Sequence, residues 1–341
     1  MKILFIGGSG VISRAATQHT IAAGHELWLL NRGKRRPVEG ARVLVADTAN
    51  GESMRAALRG HTWDVVVQWI AFAPADIQRD LELFRDSARQ YIFISSASVY
   101  QKPLAHYLIT ESTPRANPYW EYSRLKIACE QQLEAAHHAT GFPGVIVRPS
   151  LTYGEDQVPL VLNAWNQSWT AISRMRRGAP VIIPGDGNSL WTITHNTDFA
   201  QGLTGLFGNP ATHGEAFHIT SDEVLTWNQI FQLTAQAAGV SEPRFIHIPS
   251  DFIISCVPAV EGTLLGDKAV SAVFDNTKIK RFVPSFTAKV PFALGIRQTM
   301  TWFDADPARQ QIDRAADQRW DKLTAVYASA LAQARMAFAA G

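Results

Sequence analysis

A tyrosine and a lysine four residues apart, Tyr122 and Lys126, are the first candidates for chemistry in this chain. The segment that holds them, residues 118–140, is predicted to be a helix, and residues four apart lie on one face of a helix. An ammonium beside a phenol favours the phenolate and lowers the tyrosine pKa from its ordinary value of about 10. Tyr122 is therefore a candidate general base toward an alcohol, or general acid toward a ketone.

Serine hydroxyls follow an apolar run upstream of this pair, at Ser95, Ser96 and Ser98. The run, residues 91–95, is predicted to be a core strand, and open α/β sheets bind ligands at the carboxyl ends of their strands. These hydroxyls are candidates for hydrogen bonding a reacting oxygen. The alternative is ordinary capping of a strand end.

A glycine-rich turn opens the chain, where the apolar strand 2–6 runs into Gly7, Gly8 and Gly10 and then into a helix. Such a turn presents backbone N–H groups to a pyrophosphate, and the helix N-terminus adds favourable partial charge. Ser13 stands where many such fingerprints have a third glycine, and it is small enough for helix–strand packing. A bound dinucleotide is the prediction.

The end of the second strand favours NADP over NAD. An NAD site usually has an acidic residue there, whereas this chain has Asn31 and Arg32, followed by Lys34, Arg35 and Arg36. Arg32 could stack on the adenine and pair with a 2′-phosphate, or the loop could simply be solvated. Asp47 could accept a hydrogen bond from the adenine amino group, and it could also cap a helix.

Alternating strands and helices are predicted to position these residues. The candidate strands are 2–6, 26–30, 42–46, 64–68, 91–95 and 144–148, and the candidate helices are 11–23, 53–58, 75–89 and 118–140. Short apolar runs of this kind are typical of a parallel sheet covered on both faces. We expect a dinucleotide-binding domain over residues 1–150. Residues 151–341 should form mainly a substrate-binding lobe and C-terminal helices, with some segments returning to the first domain.

Composition limits the class of protein. The 341 residues carry a net charge of +2, so bulk charge favours neither nucleic acid nor a membrane as partner. The two cysteines cannot build a disulfide framework or a cysteine zinc site, and no metal-binding or Walker A motif occurs. Without a signal peptide or an apolar run long enough for a membrane helix, a cytoplasmic location is expected.

Taken together, these motifs resemble the extended short-chain dehydrogenases/reductases of the NAD-dependent epimerase/dehydratase family. The residues that carry the resemblance are Gly7 to Ile12, Asp47, Ser95 to Tyr100, Tyr122 with Lys126, Arg148-Pro149-Ser150, Tyr153-Gly154, Pro184 to Gly187 and His195 to Asp198. The family implies an α/β fold: a Rossmann-type, doubly wound parallel sheet with a smaller C-terminal substrate-binding lobe.

The resemblance also implies roles in hydride transfer between a substrate carbon and NADP or NAD. Ser96 would hydrogen-bond the reacting oxygen, Tyr122 would exchange its proton, and Lys126 would hold the nicotinamide ribose and tune Tyr122. Ser98, Tyr153 and Trp191 would contact substrate, and His195 would be structural. The residues expected at the cofactor are Gly7, Ser9, Gly10, Val11, Ile12, Asn31, Arg32, Asp47, Ala71, Tyr122 and Lys126.

Three departures from the family pattern narrow the range of substrates that we expect. Ala97 and Ser98 replace the Asp-Glu pair of the dehydratases, which disfavours 4,6-dehydration. Trp191 stands where nucleotide-sugar enzymes carry a diphosphate-binding arginine, although it could simply pack within the lobe. Gln101 stands where the family commonly has a glycine after Val99-Tyr100, which suggests a differently shaped mouth of the substrate pocket.

A basic group at Arg174, Arg176 and Arg177 could meet an anionic group of the substrate, or it could be a solvated helix end.

The predicted function is therefore an NAD(P)-dependent epimerase or dehydrogenase/reductase acting on a secondary alcohol or ketone of a sugar-like molecule. A non-catalytic RNA-binding protein or an NADP(H) sensor of the same fold is the alternative, and only the Arg32–Arg36 cluster favours RNA. The family further implies a homodimer through helix 118–140. Trp120 and Leu133 could lie on its exposed side or face the core.

Overall fold

The computed structural model describes residues 1–34 and 38–340, so that Arg35 and Arg36 of the predicted basic cluster lie outside the described residues. The strands are β1 Lys2–Ile6, β2 Glu26–Asn31, β3 Ala41–Val45, β4 Val65–Gln68, β5 Tyr91–Ile94, β6 Leu108–Ile109, β7 Gly144–Pro149, β8 Leu151–Tyr153, β9 Val181–Pro184, β10 Leu190–Trp191, β11 Ile193–His195, β12 Ala216–Ile219, β13 Leu225–Thr226, β14 Phe245–Ile248 and β15 Val273–Phe274. The helices are α1 Val11–Ala22, α2 Gly51–Leu58, α3 Pro74–Phe84, α4 Glu121–Thr140, α5 Trp169–Arg176, α6 Asn196–Gly205, α7 Trp227–Ala237, α8 Ser250–Cys256, α9 Glu261–Thr263, α10 Thr277–Phe282, α11 Phe292–Asp304 and α12 Arg314–Ala340.

The chain divides into two compact units. The first unit consists of Met1–Thr152, Thr194–Asp222 and Phe274–Lys289. The second consists of Tyr153–Ile193, Glu223–Val273 and the chain from Val290 onward. Each unit is built from three separate stretches of sequence.

A seven-stranded sheet in the order β12-β7-β5-β4-β1-β2-β3 forms the first unit. Every pair of neighbouring strands is parallel. The strand order reverses beside β1, between β4 and β2, so the carboxyl ends of β1 and β4 define the switch point where such sheets bind ligands. The predicted doubly wound parallel sheet is confirmed.

Both faces of the inner strands of this sheet are buried. Ile3 and Phe5 of β1 belong to one apolar cluster, with residues of α1 and α6. Leu4 and Ile6 of the same strand belong to the other cluster, with residues of α2, α3 and α4. Alternate side chains of a strand point to opposite faces, so a strand covered on both sides is apolar throughout.

Helix boundaries differ from the prediction most in α3 and α4. Helix α3 ends at Phe84, five residues before the predicted end at residue 89. Helix α4 begins at Glu121 rather than at residue 118, and it ends as predicted at Gly141, whose φ of +70° is left-handed. Leu133 of α4 is buried in the core, so it does not lie on an exposed side of this helix.

The second unit contains two small sheets and several helices. β14 pairs with β9 in parallel, and β10 pairs with β13 in antiparallel orientation. Ala316, Trp320 and Leu323 of α12 are buried, at spacings of four and three that place them on one face of the helix, whereas Leu331 near its end is exposed.

The arginines of the basic group at the end of α5 are paired with carboxylates of the same unit, although Arg176 and Arg177 are also exposed to solvent. The buried Arg174 donates to Asp317 and Asp321 of α12, each at 2.5 Å. Arg176 forms a bidentate pair with Asp304. Ion pairs within the unit therefore account for both arginines.

Candidate active site

The glycine-rich turn lies at the carboxyl end of β1. Gly7 and Gly8 have left-handed φ angles of +102° and +94°. A Cβ on Gly8 would lie 2.8 Å from Leu29 Cδ2, so only glycine fits there without a shift. Gly10 precedes α1, and a Cβ there would make only an ordinary contact, 3.6 Å from Ser13 Oγ. The turn therefore offers bare backbone at a helix N-terminus, as a dinucleotide pyrophosphate requires.

Ser13, at the position of the missing third glycine, is buried and hydrogen-bonded. Its Oγ accepts from the Gly10 N–H at 2.8 Å. A glycine there could not make this bond, so the serine fixes the turn that leads into α1. Thr17 of the same helix donates to the Gly8 carbonyl at 2.8 Å and holds the turn from the other side.

The residues predicted at the adenine end are exposed or half-buried. Asn31 ends β2, and its side chain accepts from the Gly33 N–H at 2.8 Å. Arg32 is exposed. Asp47 accepts from the Ala49 N–H at 3.1 Å, but the residue that caps α2 is Asn50. The alternative that Asp47 caps a helix is therefore wrong.

The segment after β4 brings the backbone of Ala71 to the candidate catalytic lysine. The buried Gln68 accepts from the Ile70 N–H at 2.8 Å and donates to the buried Asp80. Ala71 is buried, and its carbonyl accepts from Lys126 Nζ at 2.7 Å. This segment is thus held at the switch point by hydrogen bonds along its length.

Lys126 is almost completely buried, with 1% of its surface exposed. Its ammonium also donates to the Ile94 carbonyl at 2.9 Å, at the carboxyl end of β5. Burial lowers the pKa of Lys126 to about 8, against the opposing charges of Cys129, Glu130 and Asp76. The Tyr122 ring centroid lies 5.8 Å from Nζ, so the two residues are neighbours on α4 as their spacing predicts.

Three serine hydroxyls form a chain beside this pair. Ser96 Oγ and Ser98 Oγ are 2.9 Å apart, and Ser123 Oγ donates to Ser98 Oγ at 2.8 Å. Ser96 is half-buried, whereas Ser98 is 3% exposed. Ser123 directly follows Tyr122, so this chain ties the residue next to the tyrosine to the turn that carries Ser96.

A buried ionic network that the sequence patterns did not predict joins α4 to β7, next to Ser95. Glu130 of α4 accepts from Arg148 Nε at 3.0 Å, Arg148 Nη2 at 2.7 Å and Arg115 Nη1 at 2.8 Å. Arg148 also donates to the Tyr100 hydroxyl at 3.2 Å, and Tyr100 contacts His218 Nδ1 at 3.0 Å. Burial alone would raise the pKa of Glu130, but the charge of Arg148 outweighs it and holds that pKa below its ordinary value.

His195 lies in the first unit and has the structural role that the resemblance implies. Its ring accepts from the Thr197 N–H at the start of α6. The ring also contacts Thr197 Oγ1 at 2.7 Å. Burial lowers the pKa of His195, consistent with a neutral capping ring.

The predicted substrate contacts Tyr153 and Trp191 belong to the second unit, and both are buried. Trp191 stacks on Trp227, with ring centroids 5.4 Å apart. Its ring also lies 4.8 Å from the Lys268 ammonium, which is paired with Asp267. Packing within the unit, the alternative stated for Trp191, is thus observed.

The first unit therefore combines a doubly wound parallel sheet with the predicted site residues Ser96, Tyr122 and Lys126. The model of the NAD dependent epimerase/dehydratase family matches residues 3–220. The chain belongs to this family.

Two relatives are similar over most of the chain. The chloroplast stem-loop binding protein of 41 kDa b from Arabidopsis thaliana is 25% identical over 74% of this chain and 67% of its own length. A 2'-dehydrokanamycin reductase from Streptomyces kanamyceticus is 24% identical over 84% of this chain and 80% of its own length.

Solved structures share the fold. The UDP-glucose 4-epimerase of Thermus thermophilus in complex with NAD has a TM-score of 0.71 and 21% identity, covering 89% of this chain and 99% of that one. An epimerase of Methanothermobacter thermautotrophicus has a TM-score of 0.74 and 16% identity, covering 90% and 93%. Within the described residues, no helix has both the length and the apolar character to cross a membrane.

Proposed function

We propose that the protein is an NAD(P)-dependent oxidoreductase or epimerase that acts on a secondary alcohol or ketone of a sugar-like small molecule. The observation that carries the proposal is the geometry around Lys126. Its ammonium joins the carboxyl ends of β4 and β5 through the Ala71 and Ile94 carbonyls, beside Tyr122 and the serine chain. These residues lie in the unit that holds the glycine-rich turn.

Each residue has a distinct role in the proposed reaction. Ser96 hydrogen-bonds the substrate oxygen, and Ser98 and Ser123 orient the Ser96 hydroxyl rather than contacting substrate. Tyr122 takes the hydroxyl proton in oxidation and returns it in reduction. The Lys126 ammonium stabilises the phenolate that forms on Tyr122. The nicotinamide, when bound, supplies or accepts the hydride.

NADP is the proposed preference. Asn31 ends β2 without a carboxylate for the ribose hydroxyls, and the exposed Arg32 follows it. An arginine can pair with a 2′-phosphate in bidentate geometry. The family name and the bound cofactor of the Thermus thermophilus epimerase both refer to NAD, so the preference rests on these two residues of this chain.

A carbohydrate-like substrate fits the relatives' names. The Streptomyces kanamyceticus relative is a 2'-dehydrokanamycin reductase, which favours net reduction of a keto-sugar by this chain. An epimerase would instead return the hydride to the opposite face and consume no cofactor. Ala97 and Ser98, in place of an acidic pair, disfavour 4,6-dehydration.

Nucleotide titration tests the cofactor assignment. NADPH and NADH are titrated into the wild type, Arg32→Ala and the control Arg42→Ala, an exposed arginine that pairs with Glu26. We expect tight NADPH binding that is lost only in Arg32→Ala. Tight binding of NADH alone would refute the NADP preference, and binding of neither would refute the redox function.

Turnover on a panel of keto-sugars and sugars tests the catalytic roles. Tyr122→Phe should abolish turnover while cofactor binding persists, and the control Tyr119→Phe, three residues earlier, should be active. Consumption of NAD(P)H identifies net redox chemistry, whereas product without consumption identifies epimerisation. Equal activity of the two variants would refute the role of Tyr122.

Binding of structured RNA is a second candidate, favoured by the name of the Arabidopsis thaliana relative. It predicts retention of an RNA stem-loop that weakens steeply with salt and is insensitive to NADPH. Absence of stem-loop binding at low salt would remove the second one.

We also propose a homodimer in the cytoplasm. The family resemblance supports a dimer through α4, at whose start the half-buried Trp120 packs on Tyr122 with ring centroids 5.0 Å apart. Sedimentation equilibrium of the wild type and Trp120→Ala tests the interface. A monomeric wild type would refute it.

A further inference from the structure

Phe72 stands beside the candidate catalytic lysine without being part of any motif that the sequence patterns predicted. It follows Ala71 directly, and its side chain is 51% exposed. Its backbone is fixed, because Asp76 Oδ2 accepts from the N–H groups of Phe72 at 3.0 Å and Ala73 at 3.1 Å. A fixed backbone with a half-exposed ring leaves rotation of the side chain as the available motion.

The Lys126 ammonium lies near two phenylalanine rings. Nζ is 4.8 Å from the Phe72 ring centroid and 4.7 Å from that of Phe93. Phe93 is a fully buried residue of β5, so it forms the inner wall. Phe72 is the partly exposed ring of the two, so we assign it as the outer cover. Ring faces attract cations, and this attraction strengthens where water is excluded.

The two carbonyls, the two phenylalanine rings and the Tyr122 ring lie around the ammonium of Lys126, a residue that is 1% exposed. Two of its three N–H donors are used by Ala71 and Ile94. The third donor is the one that could reach a ribose hydroxyl. Glu130 and Cys129 on α4 and Asp76 on α3 are the titratable groups that act on the ammonium from the packed elements.

We infer that Phe72 is a positioning residue that covers the Lys126 ammonium, holds it on the Ala71 and Ile94 carbonyls, and turns aside to admit a cofactor ribose. The cover is a property of the protein alone. The admission of a ribose rests on the proposed function. Phe72 acts through Lys126 and is not itself a reacting group.

Competitive acetylation of the full-length protein without nucleotide tests the cover. The protein reacts with trace acetic anhydride over a range of pH, and mass spectrometry of the peptide containing Lys126 gives its reaction rate. Phe72→Ala should raise the plateau rate of Lys126 at alkaline pH by about tenfold and shift the titration midpoint upward, toward the ordinary lysine pKa of about 10.4. Phe72→Tyr keeps the ring and should behave as wild type.

Ile70→Ala is the matched control, since Ile70 lies two residues away and is 38% exposed. It should leave Lys126 labelling unchanged. Equal labelling of wild type and Phe72→Ala would overturn the inference. An equal rise in Phe72→Ala and Ile70→Ala would also overturn it, because the segment would then simply have loosened. Phe72→Leu provides a second variant that retains apolar bulk if Phe72→Ala is unstable.

Repeating the labelling with NADH and NADPH separates the two proposals. Protection of Lys126 by either nucleotide supports the admission of a ribose. Failure of both nucleotides to protect Lys126 in any variant would refute that step and count against the proposed function. The cover would still be judged by the labelling without nucleotide.

Discussion

Replacing Glu130 by glutamine should destabilise the first unit strongly. Glu130→Gln removes the carboxylate that accepts from both Arg148 and Arg115. Arg148 is 2% exposed and would lose its only charged partner on α4, keeping its bonds to the Tyr100 hydroxyl and the Glu111 carbonyl and one neutral amide oxygen in place of the carboxylate. Leaving a buried charge without its partner costs about 3–5 kcal/mol of the free energy of unfolding.

Glu134→Gln is the matched control for this change. Glu134 pairs with the same Arg115, but its side chain is 31% exposed and Arg115 keeps Glu130. Exposed pairs contribute about 0–1 kcal/mol. The free energies of unfolding of the two variants should therefore differ by at least about 2 kcal/mol. Urea unfolding followed by circular dichroism measures them, with each observed transition fitted separately.

Two outcomes would refute this reasoning. One is a cost for Glu130→Gln no larger than that for Glu134→Gln. The other is a double variant, Glu130→Leu with Arg148→Met, that is less stable than Glu130→Gln, because removing both charges should recover part of the loss. The lowered pKa of Glu130 adds a pH dependence. The ionised Glu130 carboxylate stabilises the folded protein fully above about pH 4.3, the pKa of a glutamate in the unfolded chain. This stabilisation is lost as the pH falls through the lower pKa that Glu130 has in the folded protein.

Three further predictions concern the turn, the lysine and the second unit. Gly8→Ala should cost about 1–3 kcal/mol because of its left-handed φ and the contact with Leu29, whereas Gly10→Ala should fold normally and weaken NADPH binding in a titration. With the pKa of Lys126 at about 8, NADPH affinity should fall as pH rises from about 7 through that value, because the 2′-phosphate, with a second pKa of about 6, is already ionised there, and a profile that stays flat from about pH 7 to about pH 10 would contradict the role of the charge. Arg174→Met should leave Asp317 and Asp321 without their buried partner, so limited proteolysis should cut α12 faster than in Arg177→Met, whose guanidinium is 39% exposed.

The central sheet was predictable because most of its strands have a local pattern. Six of its strands, β1 to β5 and β7, are short apolar runs between glycines or polar turns. Strand β1 begins and ends at the predicted residues. Strand β12 was not predicted. It is four residues long, and it pairs with β7 only after an intervening stretch of chain that includes α5, β9 and α6. Pairing across 70 residues leaves no local pattern in the sequence.

The candidate site likewise contains some residues that could be predicted from the sequence and others that could not. Tyr122 and Lys126 could be found because a helix fixes the distance between residues four apart. Phe72 and Glu130 could not, because their partners lie 54 and 18 residues away, as the numbering of Phe72 with Lys126 and Glu130 with Arg148 shows. Such contacts depend on the whole fold, and an isolated phenylalanine or glutamate carries no spacing that indicates them.

The three-part construction of the first unit has a consequence for its synthesis on the ribosome. Its apolar cluster includes Phe199 and Leu203 of α6, Phe217 of β12, and Ile279 of α10. A nascent chain that ends near residue 150 has every residue of the glycine-rich turn and of the Ser–Tyr–Lys set, but one face of its sheet lacks these side chains. The order of translation therefore exposes apolar surface until residue 289 has emerged, so a chaperone that binds nascent chains would find its target in this interval.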